Sequence, residues 1–135
     1  MRYVEMKQKH MNEINNFPMA FAFSKEQFQE GLEKLGTMQE DICSIPGGGF
    51  IRKTDTKALG NMMLRHVKEM DKGFEDDDFL VDAIEYELAN HEFIITYDPE
   101  PALNVLGINL ENADKRVMDC FETARKNYME WQDSH

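Results

Sequence analysis

The sequence predicts an α+β fold, with a small, mostly antiparallel sheet of three to four strands packed by four to five helices. Three observations lead there. Apolar residues recur at helical spacing over three long windows, near residues 56–72, 79–90 and 111–131. Two short β-prone runs, "DICSI" and "FIRK", flank "PGGG", the pattern of a hairpin. "EFIITYD" is β-branched and aromatic over residues 93–97 and reads as the clearest strand in the chain.

Taken in order, residues 1–16 are polar with sparse apolar positions, and predict a helical or loosely ordered arm. In "FPMAFAF" the large residues Phe17, Met19, Phe21 and Phe23 alternate with small ones, the period of a strand with one face on a core. Pro18 places that strand at an edge or a start. "SKEQ" is a capping box with Ser24 as N-cap, and it opens a helix over 25–35 that Gly36 closes in the left-handed conformation. After the hairpin, Thr54 is the expected cap of a helix whose buried stripe is Leu59, Met62, Met63, His66, Val67 and Met70, ending near Lys72–Gly73. "FEDDD" leads into a helix from Phe79 to about Asn90, buried through Leu80, Ala83, Ile84 and Leu88. Asp98 is then expected to cap a short helix in "PEPALNVL", with Pro99 at its first position and Gly107 at its end. The last helix places Ala113, Val117, Cys120, Phe121, Ala124, Tyr128 and Trp131 along one side. With no repeat and no linker composition, residues 1–135 are expected to form one domain, with 1–16 as a possible N-terminal arm.

The chain's 135 residues suffice to bury roughly two-thirds of the unfolded surface. Its 41% hydrophobic and 30% charged residues are ordinary for a soluble protein. The N-terminus has no apolar signal region, and no window approaches the roughly 20 apolar residues that span a bilayer. A cytoplasmic location is therefore expected. Cys43 and Cys120 are far apart and belong to no ligand pattern, so reduced thiols are expected.

Net charge is −11, and its placement matters more than its size. Residues 74–100 carry ten acids and neither lysine nor arginine, so nearly all the imbalance sits there. Such a field repels nucleic acid and anionic membrane, and attracts basic protein surfaces.

Four candidate sites arise. "GGGFIRKT" matches a phosphate-binding loop except that Arg52 stands where the second glycine belongs. The β-prone "FIR" before Lys53 would hold an extended strand instead of a nest of amides, so a hairpin turn is expected. Glu87 and His91, four apart on one helical face, could hold part of a divalent metal site, but no second such unit completes it. A solvated acidic face is the plainer expectation for these two. No catalytic signature is present: Cys43 and Cys120 read as small buried hydrophobes, and His66 as a satisfied core histidine. The fourth candidate is the acidic segment itself. Asp76, Asp77 and Asp78 suit a helix N-terminus. Asp78, Asp82 and Glu85 then continue at i, i+4 and i+7 with no base at i±4 to relieve them.

"FAFSKEQFQEG", "PGGGFIRKTD" and "FLVDAIEYELANHEFIITYDPEPALNVLG", spread over residues 17–110, resemble a family of short hypothetical proteins carried by bacteriophages and mobile elements of Gram-positive bacteria. That resemblance implies a genomic context, in which small inhibitors of host defence proteins are common, and it carries over no site residue. The expectation is a non-catalytic, acidic interaction protein without a cofactor. Its partner would be a protein with a basic surface, such as a nucleic-acid-binding or defence protein, met through Asp76, Asp77, Asp78, Asp82 and Glu85. The alternative is a metal-binding or metal-dependent protein using Glu87 and His91. Oligomeric state stays open.

Overall fold

The computed structural model describes residues 2–134. The fold is α+β: seven α-helices and one three-stranded antiparallel sheet among the described residues. The chain divides into two compact units, residues 10–68 and residues 2–9 with 69–134. The segment expected as an arm is helix α1 (Tyr3–Asn16).

The first unit, 10–68, holds the sheet. Strand β1 (Ala20–Phe21), β2 (Ile42–Ile45) and β3 (Gly49–Arg52) lie in the order β1-β3-β2. Helix α2 (Lys25–Leu35) packs on it as expected: the Ser24 hydroxyl accepts from Gln27 N at 3.1 Å, and Gly36 adopts φ 62°. Pro46, Gly47 and Gly48 form the turn of the β2–β3 hairpin, with Gly47 at φ 85° and Gly48 at φ 83°, and Gly49 opens β3 opposite Ile45. Arg52 and Lys53 point to Asp55 and to the Glu40 carbonyl, so they serve local structure.

Two expectations fail in this unit. The large residues of "FPMAFAF" do not face the core. Ala20 is buried and Ala22 packs beside it, whereas Phe21 and Phe23 are 50% and 79% exposed. The cause is the close approach of α2: a Cβ on Gly31 would lie 2.9 Å from Ala20 Cβ and 2.5 Å from Phe50 Cζ. Only small residues fit on that side of β1. The next helix starts later than expected. A 3-10 turn, Lys53–Asp55, precedes α3 (Thr56–Phe74), and Thr54 caps nothing. Of the stripe on α3, His66 is buried, but Met63 and Val67 are exposed, because they lie on the helix shoulder away from His66.

The second unit is helical. Helix α4 (Asp77–Asn90) buries Leu80, Ile84 and Leu88 against α6 (Glu100–Val105) and α7 (Lys115–Ser134). Tyr3, Phe79 and Ala83 form a smaller cluster with Met6, Met70 and Phe74. Asp98 Oδ1 accepts from Glu100 N at 3.0 Å, and Gly107 at φ 71° follows the end of α6. Helix α7 buries Cys120, Phe121, Ala124 and Tyr128, but Trp131 is 55% exposed. Both cysteines are free thiols.

The segment that reads most clearly as a strand is not one. Residues Phe93–Thr96 form a single helical turn, α5, flanked by Glu92 and Tyr97 in left-handed conformations, φ 58° and 56°. Phe93 packs its ring on Tyr128 at 5.9 Å and is buried in the helical core. Packing of Phe93 into the helical core overrides β propensity here.

Candidate functional site

The acidic stretch begins at the N-terminus of α4. Asp76 is the N-cap, its Oδ1 accepting from Phe79 N at 3.0 Å. An anion suits this end of the helix dipole. Asp77 receives Arg116 Nε at 2.5 Å. Asp82 receives Arg2 at 3.1 Å and the Tyr3 backbone N–H at 3.0 Å. Glu85 is half-buried. Burial raises its pKa, a hydrogen bond with Asn127 opposes that, and the Asp82 charge adds to it. Asp78 is exposed.

These placements correct the expectation of an unrelieved acidic face. No base lies at i±4 on α4, but Arg2 and Arg116 arrive from α1's start and from α7. Three of the five expected residues therefore serve the fold: Asp76 as a cap, Asp77 and Asp82 in ion pairs.

What remains is a groove of about 910 Å³ between the first residues of α1, the end of α3 and the start of α4. Five carboxylates line it: Glu5, Glu69, Asp76, Asp78 and Asp82. Arg2 and Lys72 are the bases at its edge, and Met6, Gly73 and Phe79 give it apolar surface. Glu5 and Glu69 were not foreseen, because nothing in local spacing joins residues 5, 69 and 78.

Glu87 is not on a solvated face. It is 0% exposed. Its Oε1 accepts from Tyr3 Oη at 2.8 Å and from Lys7 Nζ at 2.9 Å. Burial disfavours the charged carboxylate, but the bonds from Lys7 and Tyr3 outweigh it and hold the acid below its ordinary range. Lys7 Nζ also lies 5.4 Å and 5.1 Å from the ring centroids of Tyr3 and Tyr86. His91 Nε2 is 3.3 Å from Glu87 Oε2. The two residues named for a metal thus do meet, with Lys7 supplying a cation at the carboxylate. Among the described residues no three His, Cys, Asp or Glu side chains group as metal ligands. A signal for burial was present, since Glu87 follows Leu80, Ala83 and Ile84 at helical spacing.

In the sheet-bearing unit, His66 Nε2 lies 2.9 Å from Glu13 Oε2, and Arg65 also binds that carboxylate. His10 stacks on His66 with centroids 4.0 Å apart. His66 is therefore a satisfied buried histidine. No helix is long and apolar enough to cross a membrane among the described residues.

A family model described as a family of unknown function (DUF7659) matches residues 2–127. Neither a curated protein nor a solved structure matches the chain.

Proposed function

We propose that this chain, which belongs to the DUF7659 family of unknown function, is a non-catalytic protein-binding module that receives a lysine- or arginine-bearing segment of a partner protein. The observation that carries this reading is the groove at the start of α4. Five carboxylates against two bases give it a net negative lining, while Met6 and Phe79 offer apolar contact. Attraction of this kind raises the association rate and selects among partners more than it adds affinity.

The partner class follows from the charge. A basic surface that normally holds nucleic acid is the strongest complement, which suits a mobile-element protein that blocks a host nucleic-acid-binding or defence protein. Binding would centre on Asp78 with Glu69. Asp76 and Asp82 would contribute charge while keeping their structural bonds, and Asp77 and Glu85 would lie outside the groove lining.

The test is a reversal that spares the fold. Glu69→Lys with Asp78→Lys breaks the partly exposed Lys9–Glu69 pair, worth at most about 1 kcal/mol. Affinity capture from the native host should retain a basic protein with the wild type and lose it with the double variant. Equal retention by both, with unchanged melting curves, would remove the groove from the account.

A further inference from the structure

We propose that β2 is a self-pairing edge, through which two copies of the chain join antiparallel about a two-fold axis, with Cys43 opposite Cys43 of the second copy. The strands lie in the order β1-β3-β2, so β1 and β2 are both edges of the sheet. They differ in how they are finished. Strand β1 has two residues, and side chains of α2 bond the backbone on either side of it: Lys34 Nζ donates to the Met19 carbonyl at 3.0 Å, and Phe23 N donates to Gln27 Oε1 at 2.7 Å. Strand β2 has four residues and no such cover.

The parity of the ladder fixes which groups β2 leaves open. Ala22 N donates to the Gly48 carbonyl at 3.1 Å, in the same register as Ala20↔Phe50. Bonded pairs recur at every second residue of an antiparallel ladder, so Ala20 and Phe50 exchange bonds, and the backbone groups of Phe50 face β1. Those of Gly49 and Ile51 then face β2, where their partners are Ile45 and Cys43. The N–H and C=O of Ile42 and Ser44 therefore point away from the sheet. Among the described residues, the one hydrogen bond these four groups receive is a long contact from Cys43 Sγ to the Ser44 carbonyl, 3.8 Å. Ser44 is exposed.

A second copy fits this edge. Ile42 and Ser44 are symmetric about Cys43, so an antiparallel copy in the register Ile42↔Ser44 satisfies the four open groups of each chain and makes one six-stranded sheet. The two Cys43 residues then form a non-bonded pair, with Cβ atoms about 4.5–5.5 Å apart. Asp41 falls opposite Ile45, so no like charges oppose each other across the seam. "ICSI" also holds no lysine, proline or acid, the residues by which edge strands resist pairing.

Charge beyond the strand permits the approach of two copies. Residues 10–68, the unit that holds the sheet, carry seven lysines and arginines against seven acids, although the chain as a whole has a net charge of −11. The acidic excess belongs to the other unit, and so does every residue lining the groove, so this edge and the groove can be tested separately. Two four-residue strands bury much less than the roughly 1,200–2,000 Å² of a stable interface, so a dissociation constant on the order of 0.1 mM is expected.

Sedimentation velocity of the full chain under reductant, from about 10 µM to about 1 mM, should show a reversible monomer–dimer equilibrium. Cys43→Lys sets two ammonium groups opposite each other and should weaken it about tenfold or more. Ser44→Pro removes an outward N–H that the monomer does not use, and should weaken it in the same direction even where the lysine variant folds poorly. Cys43→Ser should stay within about threefold of wild type, since pairing needs no thiol. Register is read by mild oxidation with copper phenanthroline and dioxygen, in which two thiols lose two protons and two electrons and one S–S bond forms. Wild type should crosslink through Cys43, whereas Cys43→Ser with Ser44→Cys should crosslink about tenfold more slowly, because residue 44 lies opposite residue 42. A chain that stays monomeric to about 1 mM would leave the edge to a segment of another protein and overturn the proposal. A dimer that survives both Cys43→Lys and Ser44→Pro, or equal crosslinking from position 44, would overturn it as well.

Discussion

Tyr3 and Glu87 stand 84 residues apart and share a 2.8 Å hydrogen bond to a carboxylate with no exposed surface. That bond, with Lys7 on the same oxygen, seats the first turns of α1 on α4. It also raises the Tyr3 pKa, first through burial and then through the hydrogen bond to the Glu87 carboxylate.

Breaking this cluster from the cationic side should be costly. Lys7→Met leaves a buried carboxylate with a neutral partner; because Lys7 is 36% exposed, the loss is about 1–3 kcal/mol, below that of a fully buried pair. Tyr3→Phe should cost about 1–3 kcal/mol as well. The double variant Lys7→Met/Glu87→Leu should be more stable than Lys7→Met alone, since the stranded charge is gone. Urea denaturation of the three variants checks the order. A double variant less stable than Lys7→Met would refute the stranded-charge argument.

Acid should destabilise the chain through Glu13. Hydrogen bonds from Arg65 and His66 lower its pKa from 4.5 to about 2. A lowered carboxylate pKa means the unfolded state takes up the proton first, so the contribution is complete above about pH 4.5 and is lost as pH falls toward about 2. Glu87 shifts in the same direction. Glu13→Gln should therefore flatten the melting temperature profile over that window.

Glu85 should behave in the opposite sense. Its pKa is raised, chiefly by burial, so its ionisation opposes folding and the cost appears as pH rises through its titration. Glu85→Gln keeps a group able to bond Asn127 and removes the charge. The variant should melt higher than wild type at pH 7 and converge with it near pH 4. A lower melting temperature at pH 7 would mean the carboxylate is needed as such.

Two glycines separate close approach from mere flexibility. Gly31→Ala drives a Cβ against Phe50 and Ala20 and should cost about 1–3 kcal/mol. Gly60, in the interior of α3, has nothing within 4 Å, and Gly60→Ala should stabilise by about 0.5–1 kcal/mol. Thermal melts of the pair test how closely α2 approaches β1.

Local signals were legible where they were complete within a few residues. The Ser24 cap, the Gly36 stop, the PGGG hairpin and the stripe of α4 all stand where the sequence places them. The misses share one cause. Residues 93–97 and the phenylalanines near β1 have strand-like composition, but their outcome depends on what packs opposite: Tyr128 in one case and the small-residue approach of Gly31 in the other. Charge was misread for the same reason. Helical spacing exposes bases at i±4 and cannot show Arg2 or Arg116, which reach α4's acids from 80 and 39 residues away. Glu87 was the avoidable miss, since it lies at i+7 from Leu80 and i+3 from Ile84 on the buried stripe of its own helix.

The central claim, that the groove at the start of α4 holds a basic segment of a protein, is tested most directly by photo-crosslinking in the native host. A benzoylphenylalanine replaces Lys72 at the groove edge, with Thr123 on the exposed side of α7 as the control position. The account predicts an adduct from position 72, absent at 123 and absent in the Asp78→Lys background, mapping to a lysine- or arginine-rich peptide. An adduct from 72 on an acidic or neutral segment, or one that persists when Asp78 is reversed, would contradict it.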